Sequence, residues 1–223
     1  MASDQREHDL VLFGATGFTG GLTAEYLARH APPGARWALA GRSIGKLEAV
    51  RERLAGIAPA VADLPLLVAD VEDRASIEAV ARCTRAIITT VGPYTTFGEP
   101  LVAACAAAGT DYADLTGEPE FADRMFLAHD ARAQESGARL LHCCGFDSIP
   151  HDLGVQFTVA QLPEGVPLTV QGFVRAEAGF SGGTYQSVIT GFGRARQTIA
   201  AQRERAAREP APDPARRVRG LRS

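Results

Sequence analysis

An α/β fold with a doubly wound parallel sheet is predicted by three observations on the 223-residue sequence. Short apolar runs of strand length alternate with helix-like stretches through residue 145. The runs are apolar throughout, as in strands covered on both faces. A glycine-rich turn lies between the first run and the first helical stretch. After Phe146 the rhythm changes, and an incomplete α+β segment is expected to follow.

Residues 10–13 form the first expected strand. Phe18, Leu22 and Tyr26 recur at i, i+4 and i+8, the apolar face of a helix reaching about His30, where Pro32, Pro33 and Gly34 end it. Residues 37–40 read as a second strand, and the stretch around Leu47, Val50 and Leu54 as a second helix. Residues 66–69 give a third strand, Ile77 and Val80 mark a short helix, and residues 86–91 give a fourth strand. An alanine-rich helix over 101–108 is closed by Gly109 and followed by a fifth strand over 112–115. A longer helix over 121–134 stops at Gly137, before a sixth strand over 139–143. Farther on, 153–162 reads as helix, Pro163, Gly165 and Pro167 as a turn, 168–174 as an alternating strand, and about 184–207 as helix. A lone strand forms no sheet. Residues 168–174 must therefore join an edge of the first sheet, pair with another subunit, or belong to a larger domain. The resulting boundaries are 1–150 for a nucleotide-binding domain, 151–209 for a partial substrate domain and 210–223 for a disordered tail rich in Pro and Arg.

Composition narrows the function. The chain is 46% hydrophobic and 22% charged, which fits a globular protein with a substantial core and excludes a disordered chain. The net charge of −3 predicts no bulk attraction to nucleic acid. From Arg194 onward nine arginines face three acids, which reads as a solvated helix face and tail, with contact at a membrane surface or partner as the alternative. The polar N-terminus lacks the apolar region of a signal peptide, and no apolar run approaches the roughly 20 residues of a membrane helix. The expectation is a cytoplasmic protein with its four cysteines reduced, Cys83 and Cys105 inside helices of the core.

Gly14-Ala15-Thr16-Gly17-Phe18-Thr19-Gly20 sits between the first strand and first helix. Glycines there permit a tight turn and close approach of a pyrophosphate, and the helix N-terminus offers free N–H groups to it. This context predicts a Rossmann-like dinucleotide site. The second strand decides the nucleotide. An NAD site carries an acid about 20 residues past the glycines. Here Ala40-Gly41-Arg42-Ser43 stands instead, with no acid until Glu48. Arg42 can pair with a 2′-phosphate, Ser43 can add a hydroxyl and Lys46 a charge, so NADP is expected. Asp70 ends the third strand, where it can hold the adenine amino group or cap the next helix. Val91-Gly92-Pro93-Tyr94 ends the fourth; Gly92 and Pro93 leave room for the cofactor, and Tyr94 can face the nicotinamide end.

Lys46 is the single lysine and position 42 is Arg, so no Tyr with a Lys four residues later exists and that dehydrogenase chemistry is absent. The run Cys143-Cys144-Gly145-Phe146-Asp147-Ser148-Ile149-Pro150-His151 concentrates titratable groups after the sixth strand, at the edge where such folds bind ligands. His142, Cys143, Cys144 and His151 lack metal-ligand spacing, so no metal is assigned. Tyr94, Ser148 and His151 are the candidates for donating a proton or hydrogen bond, and Asp147 for orienting the loop. Gly179-Phe180-Ser181-Gly182-Gly183-Thr184 is either a hinge with an N-cap or a second backbone cradle.

Together the glycine motif, Ala40-Gly41-Arg42, Val91-Gly92-Pro93-Tyr94, Cys144-Gly145-Phe146-Asp147-Ser148-Ile149-Pro150 and Ser181-Gly182-Gly183-Thr184 resemble the saccharopine dehydrogenase-like oxidoreductases, in particular the trans-acting enoyl reductase branch. The resemblance covers roughly residues 8 to 200. It implies an NADP-binding Rossmann domain followed by a substrate domain on a mixed sheet, most of it missing from this shorter, C-terminally truncated chain. It also implies reduction of a double bond in trans during lipid synthesis. His151 stands where that family has a small polar residue. The expected function is an NADPH-dependent oxidoreductase delivering hydride to an electron-poor carbon of an acyl-thioester or other small-molecule substrate. The alternatives are a non-catalytic NADP-binding module or inactive remnant, and a structural partner, such as a homodimer, that completes its sheet with another chain.

Overall fold

The computed structural model describes residues 6–175, 177, 182, 185, 189 and 193–209. Its elements run β1 (His8–Phe13), α1 (Phe18–His30), β2 (Trp37–Gly41), α2 (Ile44–Ile57), β3 (Leu66–Val68), α3 (Arg74–Cys83), β4 (Thr84–Thr89), a one-turn α4 (Tyr94–Phe97), α5 (Glu99–Ala108), β5 (Asp111–Asp114), α6 (Pro119–Ser136), β6 (Leu140–Leu141), α7 (Ile149–Val159) and α8 (Ala195–Arg208). The strands form one parallel sheet in the order β3-β2-β1-β4-β5-β6. The chain winds outward from β1 to β3, then returns to β4 beside β1 and winds the other way. That reversal opens a crevice at the carboxyl ends of β1 and β4, where α/β folds bind ligands.

Strand alternation divides the core in two. Val11, Phe13, Ala38, Ala40, Ile87 and Tyr112 face one layer, with Ile77, Leu101, Phe121 and Met125 packed against them. Leu12, Trp37 and Leu39 face the other, against Ala24, Leu47, Val50 and Leu54. Both faces are buried, as the unbroken apolar runs require.

The helix over Phe18–His30 forms as expected, but with the opposite face inward. Phe18, Leu22 and Tyr26 are 75%, 53% and 64% exposed. The buried residues are Gly20, Gly21 and Ala24. Two stripes share the i, i+4 spacing, and the small one faces the sheet because α1 must approach the end of β1 more closely than a large side chain allows.

At the amino edge, Arg6 spans several elements. Its guanidinium donates to the carbonyls of Ala81 and Ala108 at 3.1 and 2.6 Å, and to Thr84 O and Thr110 Oγ1. α3 is capped by Asp73, whose Oδ1 accepts from Ala75 N at 3.0 Å. Gly109 and Gly137 end α5 and α6 in the left-handed region, as the sequence predicts.

Beyond β6 the structure departs from expectation. Residues 167–175 carry no strand, and Leu168, Val170, Phe173 and Val174 are exposed. With no neighbouring strand among the described residues, their amides have no ladder to join. α7 begins earlier than expected and has no buried residue, although Leu153, Val155 and Phe157 lie on it. The arginines near α8 are not merely a solvated face. Arg194 grips Glu120 through two bonds of 2.6 and 2.5 Å. Arg205 reaches Asp123 at 3.0 Å and lies over the Phe126 ring, and Arg208 donates to Leu127 O. Ionic contacts thus dock a polar helix whose buried residue is Ala201. The expected tail at 210–223 lies outside the described residues. Among those described, no helix is long and apolar enough to cross a membrane.

Two predictions follow from this packing. Leu39→Ala, in the fully buried β2, is expected to cost about 2–5 kcal/mol by urea denaturation. Leu22→Ala, on the outer face of α1, is expected to change stability by less than about 0.5 kcal/mol. Equal losses would return the large stripe to the core. The second prediction concerns acid. Arg194 holds the Glu120 carboxyl below its usual range. A depressed carboxylate stabilises the folded state above its unfolded value and loses that contribution as pH falls through the folded one. The urea midpoint should therefore decline as pH drops below about 4.3, and Glu120→Gln should decline less.

Candidate functional site

Gly14 leaves β1 with φ 87°, a conformation that favours glycine. Its N–H donates to Ala40 O at 2.9 Å, pinning the turn to β2. A Cβ on Gly14 would lie 2.6 Å from Val91 Cγ2. Thr90 Oγ1 donates to Gly14 O at 3.2 Å, tying the end of β4 to the same turn. One turn into α1, a Cβ on Gly20 would collide with the Gly14 carbonyl. Ala15 is buried, Thr19 half-buried, and Thr16, Gly17 and Phe18 exposed. Gly17 is the N-cap and offers no side chain to the helix. The first N–H groups of α1 therefore have no partner within the helix, and the positive dipole end points into the crevice. An anion such as a pyrophosphate fits this cradle.

Arg42 and Ser43 follow the last residue of β2, and Thr16 of the glycine turn lies near Gly41. Ser43 begins α2 without using its hydroxyl as a cap. Among the described residues no ion pair or hydrogen bond engages the side chain of Arg42 or Lys46, and both are exposed. The donor set at this strand end is cationic, which suits a phosphate and not a ribose hydroxyl alone. Asp70 stands one residue past the Ala69–Gly41 bond at the end of β3. Its Oδ1 accepts from Glu72 N at 3.1 Å, while the N-cap of α3 is Asp73.

Gly92 and Pro93 stand at the rim beyond β4, but Tyr94 turns inward. It is 6% exposed and packs on Phe121, and its hydroxyl donates to Thr89 O at 3.1 Å. Burial pushes the phenol well above its usual range, and the Asp114 charge adds to that. A hydroxyl so engaged is placed to support the loop. The N–H groups of Tyr94 and Thr95 donate to Glu118 Oε1 and Oε2 at 3.0 and 2.9 Å.

Asp114 ends β5 with its side chain wholly buried. Its Oδ1 accepts from Thr116 N and Cys143 N, and Oδ2 lies 2.6 Å from His142 Nδ1. Cys144 N donates to Asp114 O at 2.7 Å. These bonds end β6 early, because Cys143 must take φ 60° to reach them. Past this clamp, Ser148 is half-buried at the start of α7, and Ser148 N and Ile149 N donate to Gly145 O. His151 is exposed and stacks edge-on to Phe146. Asp147 sits against Gly117 and Gly145. Burial raises the Cys143 and Cys144 thiols, and Cys105 is deep in the core. The glycine-rich run at 179–184 lies outside the described residues apart from Gly182.

Sequence reading did not find Asp114, Glu118 or Glu120. One signal was present for Glu118, an acid directly before the proline that opens a helix. Asp114 gave the weaker signal of an acid two residues before Thr116 at a strand end.

A parallel sheet that reverses its winding beside an uncapped helix N-terminus, with a glycine turn between, defines a dinucleotide-binding domain. Residues 10–141 match the saccharopine dehydrogenase NADP binding domain; the chain belongs to that family, and its cofactor is NADP. Proteins named trans-acting enoyl reductase from Mycobacterium ulcerans and Mycobacterium tuberculosis are 53% identical over 155 residues, covering 70% of this chain and 36% of each relative. A second M. tuberculosis protein, whose name places it provisionally in the same group, is 50% identical over 193 residues, 85% of this chain and 45% of that protein. The chain thus spans less than half the length of the relatives it matches. Apo saccharopine dehydrogenase (L-Glu forming) from Saccharomyces cerevisiae shares the fold with a TM-score of 0.51 at 16% identity, covering 69% of this chain and 31% of that one.

Glu118→Ala would leave the buried Tyr94 N–H and the half-buried Thr95 N–H without their acceptors. The expected loss is about 1–3 kcal/mol for each donor, read as a fall in the urea midpoint, with Glu118→Gln losing less. An unchanged midpoint in both variants would count against Glu118 as the anchor of α4.

Proposed function

We propose that the chain is the NADPH-binding part of an oxidoreductase that reduces an enoyl thioester or a related electron-poor double bond in lipid metabolism. The observation that carries this reading is the unpaired Arg42 beside a glycine cradle built on Gly14 and Gly20. The names of the relatives at 50–53% identity support the reductase half. When bound, NADPH supplies a hydride.

The chain's own residues divide the work. The turn Gly14, Ala15, Thr16, Gly17, Phe18, Thr19 and Gly20 holds the pyrophosphate. Arg42, Ser43 and Lys46 hold the 2′-phosphate, and Asp70 the adenine. Gly92 and Pro93 leave space for the nicotinamide, while Tyr94 braces their loop through Thr89. Ser148 and His151 offer hydrogen bonds to the substrate from the open side of α7. Residues 1–150 act as the nucleotide domain and 151–209 as the beginning of a substrate domain. The protein works in the cytoplasm.

A second reading, a nucleotide-binding module without turnover, is favoured by the exposed face of α7, which no described residue covers. Calorimetric titration with NADPH and with NADH, using wild type and Arg42→Ala, separates the outcomes. The expected result is preference for NADPH and a loss of about 1.5–3 kcal/mol in the variant, as for a charged hydrogen-bonded pair. Equal binding of both nucleotides would remove Arg42 from the site. NADPH binding with no oxidation by enoyl thioesters would favour the second reading.

A further inference from the structure

Asp114 and His142 form a pair that the nucleotide reading does not use. The carboxylate is fully buried, and the imidazole keeps 13% of its side-chain exposure at the carboxyl end of β6. The ring is fixed in place by three contacts. Its Nδ1 is 2.6 Å from Asp114 Oδ2, Tyr112 packs against it tilted at 5.6 Å between ring centroids, and Phe121 packs edge-on at 5.4 Å. Phe121 in turn packs on Tyr94, so the ring belongs to the aromatic cluster behind the nicotinamide loop. The other oxygen of the carboxylate holds the Cys143 and Thr116 N–H groups.

We infer that Asp114 is a positioning residue that sets the tautomer of His142, keeping Nδ1 as the donor and leaving Nε2 as the nitrogen that hydrogen-bonds the substrate. An ionised carboxylate has no proton to give, so the atom facing it must be N–H. Among the described residues Nε2 has no protein partner. The same carboxylate holds Cys143 in its left-handed turn, so the loop carrying Ser148 and the imidazole share one anchor. The substrate role rests on the reductase reading above; the tautomer does not.

Asp114→Asn separates the two tasks. Its amide oxygen can still accept from Cys143 N and Thr116 N, but its NH2 group meets Nδ1 as a donor and forces the proton to Nε2. Long-range 1H–15N correlation on the labelled full chain, at a pH where the ring is neutral, reads the tautomer directly; His142→Gln assigns the signal. The expected result is Nδ1–H in wild type and Nε2–H in Asp114→Asn. Nε2–H in wild type, or a spectrum unchanged by the substitution, overturns the inference. If the variant fails to fold, the wild-type tautomer decides. NADPH affinity should stay within about twofold in Asp114→Asn, while turnover of crotonyl-CoA falls at least about tenfold at steady KM. A tenfold rise in KM at unchanged turnover would overturn the positioning role. Absence of turnover in wild type would sink the reductase reading and leave the tautomer result standing.

Discussion

The rest of the molecule is arranged around one close approach, that of α1 to the end of β1. It exists because Gly20 has no Cβ where the Gly14 carbonyl stands. That contact brings the free N–H groups of the helix to the crevice and decides which stripe of α1 meets the sheet. Three large residues remain in solvent as a result. The turn then recruits its neighbours. Ala40 O accepts from Gly14 N, and Thr90 donates back to Gly14 O, so β2 and β4 deliver Arg42 and Gly92 to the same rim.

Buried carboxylates organise the second half of that rim. Asp114, at the end of β5, and Glu118, four residues on, each accept two backbone N–H groups. One anchors the loop after β6 and the other the loop after β4. A buried carboxylate is costly unless its lone pairs are filled, and here backbone amides and, at Asp114, the His142 ring fill them. The loops after β4 and β6 are thus held by the same short stretch of chain. Glu120, two residues on, extends this arrangement outward to Arg194 and α8.

The doubly wound parallel sheet, the two-faced core and the glycine turn were legible because each follows from local pattern. Apolar runs mark buried strands, and the glycine spacing has a geometric reason. Arg42 drew notice because an acid was missing from the place an NAD site uses, and the structure leaves it exposed just past β2. The inward face of α1 was not, since periodicity treats Phe18-Leu22-Tyr26 and Gly20-Ala24 alike and only the tertiary contact chooses between them. Asp114 and Glu118 were hidden for a related reason. An acid in a loop looks solvated until the fold wraps amides around it. Tyr94 illustrates the converse, an aromatic at a functional rim whose hydroxyl is spent on a main-chain carbonyl. The expected strand at 168–174 failed because alternation describes one half of a ladder.

The two edges of the sheet are held by charges of opposite sign. At the amino edge, the Arg6 guanidinium sits among carbonyls near the C-terminal ends of α3 and α5, where helix dipoles are negative. At the carboxyl edge, carboxylates sit among amides, and the N-terminus of α1 is left for an anion. The domain is therefore electrically polarised along its strands, with its own counter-ion built in at one pole and supplied by the ligand at the other. At that pole the opening N–H groups of α1 keep no partner within the helix, while the amino pole is closed by the chain's own arginine.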